Sequence, residues 1–193
     1  MIISNWQCLS DNENLKFIFG TSEIITISRQ DVFNSTSDIR WLIYKTLLWG
    51  YPTMGRGGNI KNLLGSKNSE NFENLVDVLT GYRKSEVPVG RLENALCTIK
   101  HVGFSTMTKF LYFLKAKIDG YECLIFDSRI MKVINLSRFD ELRPLKGVKN
   151  GNAIKNYPKY LRIVHEVANE MGVDTANIEM FLYMFGGRLS EKQ

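Results

Sequence analysis

Residues that build cross-links and metal centres are scarce in this sequence of 193 residues. It holds three cysteines and two histidines, and no two cysteines stand at the close spacing of a zinc site. Cys8, Cys97 and Cys123 are too scattered for a disulfide framework, so we expect reduced thiols in the core of a cytoplasmic protein. With His101 and His165 as the only histidines, the sequence predicts no metal site, no Ser-His-Asp triad and no cofactor.

Long apolar runs and linkers are also missing. No stretch approaches the roughly 20 apolar residues that span a bilayer, and residues 1–8 lack the basic and then apolar pattern of an export signal. Only four prolines punctuate the chain, and no repeat or low-complexity tract divides it. The sequence therefore predicts a single domain over residues 1–193, located in the cytoplasm and not associated with a membrane.

The charge is moderately basic. Lys and Arg number 25 against 20 Asp and Glu, which gives a net charge of +5 and a pI of about 9.1. This excess favours a polyanionic partner such as nucleic acid, although many proteins of similar charge bind none. The apolar content of 44% is ordinary for a globular protein.

Apolar residues recur at helical spacing along most of the chain. The clearest pattern covers residues 39–49, with Ser37 or Asp38 as the N-cap and with Gly50 and Pro52 as stop signals.

Other segments follow the same period. A glycine-containing loop at 54–59 is predicted to join two helices, and residues 71–79 form a helix that Gly81 ends. Two short runs, 16–19 and 24–27, fit either strands or buried pieces of helix. Further helices are predicted over 91–99, 106–117, 128–134, 157–171 and 178–185. The fold class is therefore mostly all-α.

Residues 100–105 join two of these helices through a short hairpin. Such a hairpin can direct consecutive backbone N–H groups at one phosphate, helped by the positive end of the second helix. In that interpretation Gly103, Phe104 and Ser105 contact DNA. The simpler alternative is that Gly103 caps one helix and Thr106 starts the next, and the hairpin alone does not separate the two.

Lys109 and Asp127 carry the most evident chemistry. Lys109 is predicted in the first turn of the helix after the hairpin, where aromatic neighbours and the helix dipole disfavour its charged form. A neutral lysine amine is a nucleophile. Asp127 separates an apolar run from a predicted helix, so it lies at a helix N-terminus. Each also has an ordinary explanation. Lys109 would be a solvated surface lysine, and Asp127 would be an N-cap.

Residues 102–113 and 124–129 resemble the helix-hairpin-helix DNA glycosylase superfamily, specifically its OGG-like branch, named for 8-oxoguanine glycosylases. Their lysine and aspartate are spaced as in that family, and residues 45–52 and 56–59 are also similar to OGG-like proteins. The resemblance spans roughly residues 39–185. It implies a helix-hairpin-helix DNA glycosylase-like fold with the hairpin motif at about 91–117, and two helical subdomains with the active site between them.

The resemblance also implies an activity. The protein would be a DNA N-glycosylase and AP lyase that removes a modified purine, for example an oxidised one, from duplex DNA. Lys109 would attack C1′ of the deoxyribose and form a Schiff base, and Asp127 would stabilise the positive charge that develops on the sugar.

Such an enzyme flips its target base out of the duplex. Arg56, Asn59 and Tyr51 would fill the gap or contact DNA, and the base pocket would include Phe113, Phe181 and Phe185. Solvated loop positions and core packing are the ordinary alternatives for these two sets. The bulky Phe113 stands where the named enzymes have a small residue, which favours a different lesion.

Two other interpretations stay open. A catalytically silent nucleic-acid-binding protein, an accessory to a bacterial antiphage defence system and its partner proteins, would keep the hairpin without removing a base. A purely structural helical protein would hold Lys109 and Asp127 as a salt bridge and would show no salt-sensitive affinity for DNA.

Overall fold

The structure is a computed structural model that describes residues 3–9, 12–54, 58–65 and 68–189. It is mostly helical, which confirms the predicted fold class. The α-helices are α1 (Glu13–Phe19), α2 (Arg29–Phe33), α3 (Ile39–Gly50), α4 (Asn59–Leu64), α5 (Ser69–Tyr82), α6 (Val89–Thr98), α7 (Phe104–Phe113), α8 (Ser128–Asn135), α9 (Ala153–Met171) and α10 (Thr175–Met184). Short 3-10 helices cover Ile3–Leu9, Asp140–Leu145 and Asn150–Asn152.

Side-chain caps fix where several helices begin. Asp38 accepts hydrogen bonds from the backbone N–H groups of Arg40 and Trp41 at the start of α3, as the sequence predicted. Ser28 and Asp31 form a reciprocal capping box at the start of α2. These caps satisfy donors that a helix N-terminus otherwise leaves unpaired.

Two predicted helix ends were wrong. Helix α5 continues through Gly81 to Tyr82, because the chain reverses only at Lys84, whose φ is +51° and whose N–H bonds to the oxygen of Leu114. Helix α7 ends at Phe113 instead of continuing to residue 117. The chain turns there at Lys115, which has a φ of +52°.

A small β-hairpin follows α7. Strands β1 (Lys117–Ile118) and β2 (Tyr121–Glu122) pair antiparallel, with Lys117 opposite Glu122. The two residues between them, Asp119 and Gly120, have φ values of +51° and +80°. Positive φ at both positions is the type I′ turn that joins tightly paired strands. This hairpin was not predicted.

The two short runs that fit either strands or pieces of helix have different structures. Residues 16–19 lie in α1, whereas residues 24–27 lie outside any helix. The three cysteines are free, but the prediction of core thiols holds only for Cys123, because Cys8 and Cys97 are exposed. Burial raises the pKa of the Cys123 thiol to about 12.

A hydrophobic core extends through the described helices, and α3 and α7 contribute many of its buried side chains. Helix α3 contacts α2, α5 and α7, and α10 contacts α8 and α9. These contacts place the C-terminal end of α3, the N-terminal half of α7 and the start of α8 around one point. The single domain and its division into two subdomains stay predictions. In the part of the chain described, no helix is long and apolar enough to cross a bilayer.

Candidate active site

Lys109 is buried in the second turn of α7, with only 6% of its side chain exposed. Its Nζ lies 3.3 Å from both the main-chain oxygen and the Oγ of Ser105, one turn earlier. The prediction that Lys109 lies in the first turn was wrong, because α7 begins at Phe104 and not at Thr106. Burial also excludes the alternative of a solvated surface lysine.

Asp127 faces Lys109 from the start of α8. Its Oδ1 accepts hydrogen bonds from the N–H groups of Arg129 and Ile130, so it is the predicted N-cap. Its Oδ2 lies 3.5 Å from the Nζ of Lys109. The side chain is 14% exposed. Because capping fixes one oxygen, the other is held towards the amine without freedom to turn away.

The segment 123–126 delivers Asp127 to this position. It is buried and runs outside any sheet, so side chains must satisfy its backbone groups. The N–H of Phe126 donates to the Oγ1 of Thr108, the neighbour of Lys109, at 3.1 Å. Hydroxyls of Tyr157 and Tyr160 on α9 donate to the oxygens of residues 124 and 125 at 2.6 and 3.2 Å. The first bond joins the segment to α7 at the residue before Asp127, and the other two hold the segment against α9.

The end of α3 closes another side of the site. The hydroxyl of Tyr51 lies 2.7 Å from the Oγ1 of Thr106, and the Nζ of Lys109 lies 5.3 Å from the centre of the Tyr51 ring. A Cβ added to Gly50 would lie 3.1 Å from the Cδ of Lys109. Glycine therefore provides the close approach that lets the lysine side chain pass the helix end.

The hairpin precedes α7 in the predicted place but turns at a different residue. His101 has a φ of +67°, whereas Gly103 has a φ of −82° and precedes the helix in extended conformation. The N–H groups of Gly103, Phe104 and Ser105 form no hydrogen bond within the described part of the chain. They are available to an anion at the positive end of α7.

A comparison with known protein families matches residues 4–183 to the family described as "Putative 8-oxoguanine DNA glycosylase OGG-like protein". The chain belongs to this OGG-like family. The resemblance inferred from residues 102–113 and 124–129 is thereby confirmed. Searches of the curated proteins and of the solved structures gave no significant match.

Two polar residues of this OGG-like chain, Arg56 and Asn59, are predicted to contact DNA. Asn59 is exposed at the first position of α4, directly after Gly58, which has a φ of +71°. Arg56 lies outside the described residues. Both assignments stay predictions.

The three predicted base-pocket aromatics are not together. Phe113 is buried, 1% exposed, between the rings of Phe33 and Trp49. Phe181 on α10 and Phe185, the C-cap of that helix, are exposed and contact each other. Phe181 lines an apolar groove of about 400 Å³ between α9, α10 and the 3-10 helix Asp140–Leu145. No described contact joins the three to Lys109 or Asp127, and their place in a base pocket stays a prediction.

Sequence reasoning missed a second buried ion pair in this part of the OGG-like structure. Glu179 on α10 is fully buried, and its Oε2 lies 2.9 Å from an Nη of Arg29 on α2. Tyr183 lies one turn later on the same face of α10. The Cζ of Arg129 lies over the Tyr183 ring, 4.3 Å from the ring centre. A single acidic residue inside the otherwise apolar run 178–185 is the signal that could have identified Glu179.

No metal centre accompanies these residues. Within the described ranges, no three His, Cys, Asp or Glu side chains come together as they would around a metal ion.

Proposed function

We propose that this OGG-like protein is a DNA N-glycosylase with lyase activity that removes a modified purine through a Schiff base on Lys109. The observation that carries the proposal is the buried pair of Lys109 and Asp127, with Nζ and Oδ2 3.5 Å apart. Family membership supports glycosylase-type chemistry, and the pair supplies the nucleophile and the anion that this chemistry needs.

The reaction begins when the neutral amine of Lys109 attacks C1′ of the target nucleotide. The bond from C1′ to the base breaks, and its electrons leave with the base, which takes up a proton. Asp127 stabilises the positive charge on the sugar as that bond breaks. The attached nitrogen loses a proton, and its electron pair then forms the C1′=N bond of the protonated Schiff base as the C1′–O4′ bond breaks. The ring oxygen keeps the electrons of that bond and takes up a proton to become a hydroxyl. Removal of a proton from C2′ then expels the 3′ phosphate and cleaves the strand.

Duplex DNA approaches the hairpin end of α7 in this proposal. The free N–H groups of Gly103, Phe104 and Ser105 hold one backbone phosphate there, and the net positive charge of the chain assists the encounter. A base flipped from the duplex brings its C1′ to the Nζ of Lys109. Arg56 and Asn59 contact the DNA around the gap.

The deciding experiment is borohydride trapping on duplexes that contain either 8-oxoguanine or an abasic site. We expect a covalent band with wild-type protein and none with Lys109→Gln. Lys132→Gln is the matched control, because it removes the same charge from an exposed position on α8.

Two outcomes would contradict the proposal. No band on either duplex, with salt-sensitive binding retained, would favour a catalytically silent nucleic-acid-binding accessory protein of a defence system. If the protein showed no trapping and also no salt-sensitive affinity for DNA, a structural role for the Lys109 and Asp127 ion pair would be favoured.

Asp127→Asn tests the anion separately from the helix cap. The amide oxygen of asparagine can still accept the hydrogen bonds that start α8, so we expect a nearly unchanged melting temperature. Because the negative charge is lost, we expect trapping to slow by about 10²-fold. Equal trapping rates for Asp127→Asn and wild type would limit Asp127 to its capping role.

A further inference from the structure

Arg29 and Glu179 form an ion pair that the proposed chemistry does not use. Arg29 is 18% exposed and Glu179 is 0% exposed, with Nη2 and Oε2 2.9 Å apart. Neither carboxylate oxygen of Glu179 meets the full geometry of a hydrogen bond among the described residues, although Oε2 is in ion-pair contact with Arg29. Two desolvated charges with an incomplete set of hydrogen bonds contribute little net stability, and apolar side chains of similar size often replace such pairs without loss. Its position in the molecule points to a different role.

The Arg29 side of the pair contacts two aromatic residues that adjoin the surroundings of Lys109. The guanidinium of Arg29 is 5.4 Å from the ring centre of Trp49 and 5.3 Å from that of Tyr112, whose hydroxyl it also contacts at 3.2 Å. Trp49 precedes Gly50, which packs on the Lys109 side chain, and Tyr112 is one turn after Lys109 on α7.

Glu179 reaches the same point from α10, which packs against α8, the helix that Asp127 caps. Burial raises the pKa of Glu179, the positive charge of Arg29 opposes that rise, and Asp127 and Lys109 exert smaller opposite effects. Glu179 is therefore near enough to the pair of Lys109 and Asp127 for their charges to act on it.

We propose that Arg29 and Glu179 are a positioning pair whose opposite charges cancel beside Lys109, and that this balance sets the pH at which Lys109 becomes a neutral amine. An unpaired Glu179 carboxylate would hold the proton on Lys109, and an unpaired Arg29 would help to expel it. The part of this inference that concerns catalysis rests on the proposed function, because it takes Lys109 as the nucleophile.

Other titratable groups lie near Arg29, Glu179 and Lys109, so the variants that are compared must leave these groups unchanged. Burial raises the pKa of the Tyr112 and Tyr160 hydroxyls, so both stay neutral near pH 7. The remaining groups are Tyr51 after α3, Asp127 and Arg129 at the start of α8, and Asp174 at the start of α10. None of these is altered in the variants below, so differences between variants report on Arg29 and Glu179.

The first measurement is the titration of Lys109 itself in the full-length protein without DNA. NMR of protein labelled at the lysine ε-carbon follows the protonation of each lysine, and loss of one signal in Lys109→Gln assigns it. We expect Glu179→Gln to move the Lys109 midpoint to lower pH by about half a unit or more, which is about a threefold change in the neutral fraction at a fixed pH. Arg29→Gln should move it to higher pH.

Two further variants complete the cycle. The double variant Arg29→Gln with Glu179→Gln, which removes both charges, should return the midpoint to near the wild-type value. Arg29→Lys should also stay near wild type, because it keeps the positive charge, and together with Glu179→Gln it carries the test if Arg29→Gln does not fold. The control Glu166→Gln, on an exposed face of α9, should leave the midpoint unchanged.

A midpoint that stays unchanged or rises in Glu179→Gln would overturn the charge-balance proposal. The pH dependence of borohydride trapping should follow the NMR midpoints, whereas a merely structural role would lower the trapped amount at every pH. Different outcomes would reject the proposed function and the charge-balance proposal. Shifted midpoints with no trapping by wild type would reject the proposed function alone, and trapping by wild type with unshifted midpoints would reject the charge balance alone.

Discussion

At the scale of single residues, Asp127 combines an observed structural role with the chemical role proposed above. One oxygen caps α8, and the other faces Lys109. The sequence offered the N-cap and the catalytic anion as alternatives. The structure shows the cap, and the same carboxylate is in ion-pair contact with Lys109, so capping is compatible with the role proposed for its charge. Backbone N–H groups hold the carboxylate in a fixed orientation, so it does not reorganise when positive charge develops nearby.

Gly50→Ala should separate stability from activity. Alanine is favoured over glycine in a helix by up to about 1 kcal/mol, so the free energy of unfolding should rise slightly or stay unchanged. The added Cβ would lie 3.1 Å from the Cδ and 3.2 Å from the Cε of Lys109, so this part of the lysine side chain must shift slightly, and we expect the amine to shift with it. We expect borohydride trapping to slow by about 10-fold or more.

Gly90→Ala is the control for this substitution, because Gly90 is also helical and a Cβ there would meet nothing within 4 Å. Urea unfolding and trapping rates should be measured on both variants. Unimpaired trapping by Gly50→Ala would show that the lysine side chain does not depend on this close approach.

At the scale of elements, the distance between α7 and α8 depends on a few hydrogen bonds to the segment 123–126. The Oγ1 of Thr108 accepts from the N–H of Phe126 and lies 3.1 Å from the main-chain oxygen of Ser105. Thr108→Val keeps the shape but leaves a buried N–H unpaired, so it should cost about 1–3 kcal/mol of unfolding free energy. Trapping should also slow, because Asp127 is the next residue along the segment.

Thr108→Ser tests whether the hydroxyl is the cause. It keeps the acceptor and should trap DNA at nearly the wild-type rate, although loss of the methyl group lowers stability somewhat. If the valine and serine variants trapped equally well, the hydrogen bond to Phe126 would not be what positions Asp127.

Elements with strong local signals were predictable from the sequence. Helix α3 has a clear apolar period and an aspartate cap, and α8 follows Asp127 directly, so both were located correctly. The end of α7 was misplaced because Phe113 and the residues after it keep an apolar pattern into a β-hairpin. The dipeptide Asp119-Gly120 is a standard signal for such a turn and was overlooked.

The residues of the candidate site also divide into those that the sequence predicted and those that it did not. Lys109 and Asp127 were found because their segments resemble an OGG-like motif, and their burial could not have been derived from either segment alone. Arg29 and Glu179 were missed because they lie near opposite ends of the chain, and only tertiary packing brings them together. A single sequence carries no local signal for a pairing of that kind.

At the scale of the whole molecule, the distribution of ion pairs is uneven. Apart from the two pairs at the candidate site, the ion pairs of the described chain have side chains exposed by about half or more: Lys16 with Glu13, Arg40 with Glu73, Arg143 with Asp140, and Arg162 with Glu166. Exposed pairs add little to stability. The two pairs with largely buried side chains are Arg29 with Glu179 and Lys109 with Asp127, and buried charges are typical of functional sites.

This arrangement predicts how global stability depends on pH. In the unfolded chain Glu179 ionises near its ordinary pKa of 4.5, whereas burial in the folded protein raises that pKa. Between the two values the folded state binds more protons, so the free energy of unfolding contributed by Glu179 falls as pH rises. That contribution is fully present below pH 4.5 and is lost as pH rises through the folded pKa.

Glu179→Gln cannot titrate, so it should lack this fall. Urea unfolding over a pH series should show the free energy of wild type declining relative to that of Glu179→Gln from about pH 4.5 towards neutrality. Glu166→Gln controls for loss of an exposed carboxylate. Parallel curves for wild type and Glu179→Gln would mean that folding leaves the pKa of Glu179 unchanged, because the positive charge of Arg29 offsets the effect of burial completely.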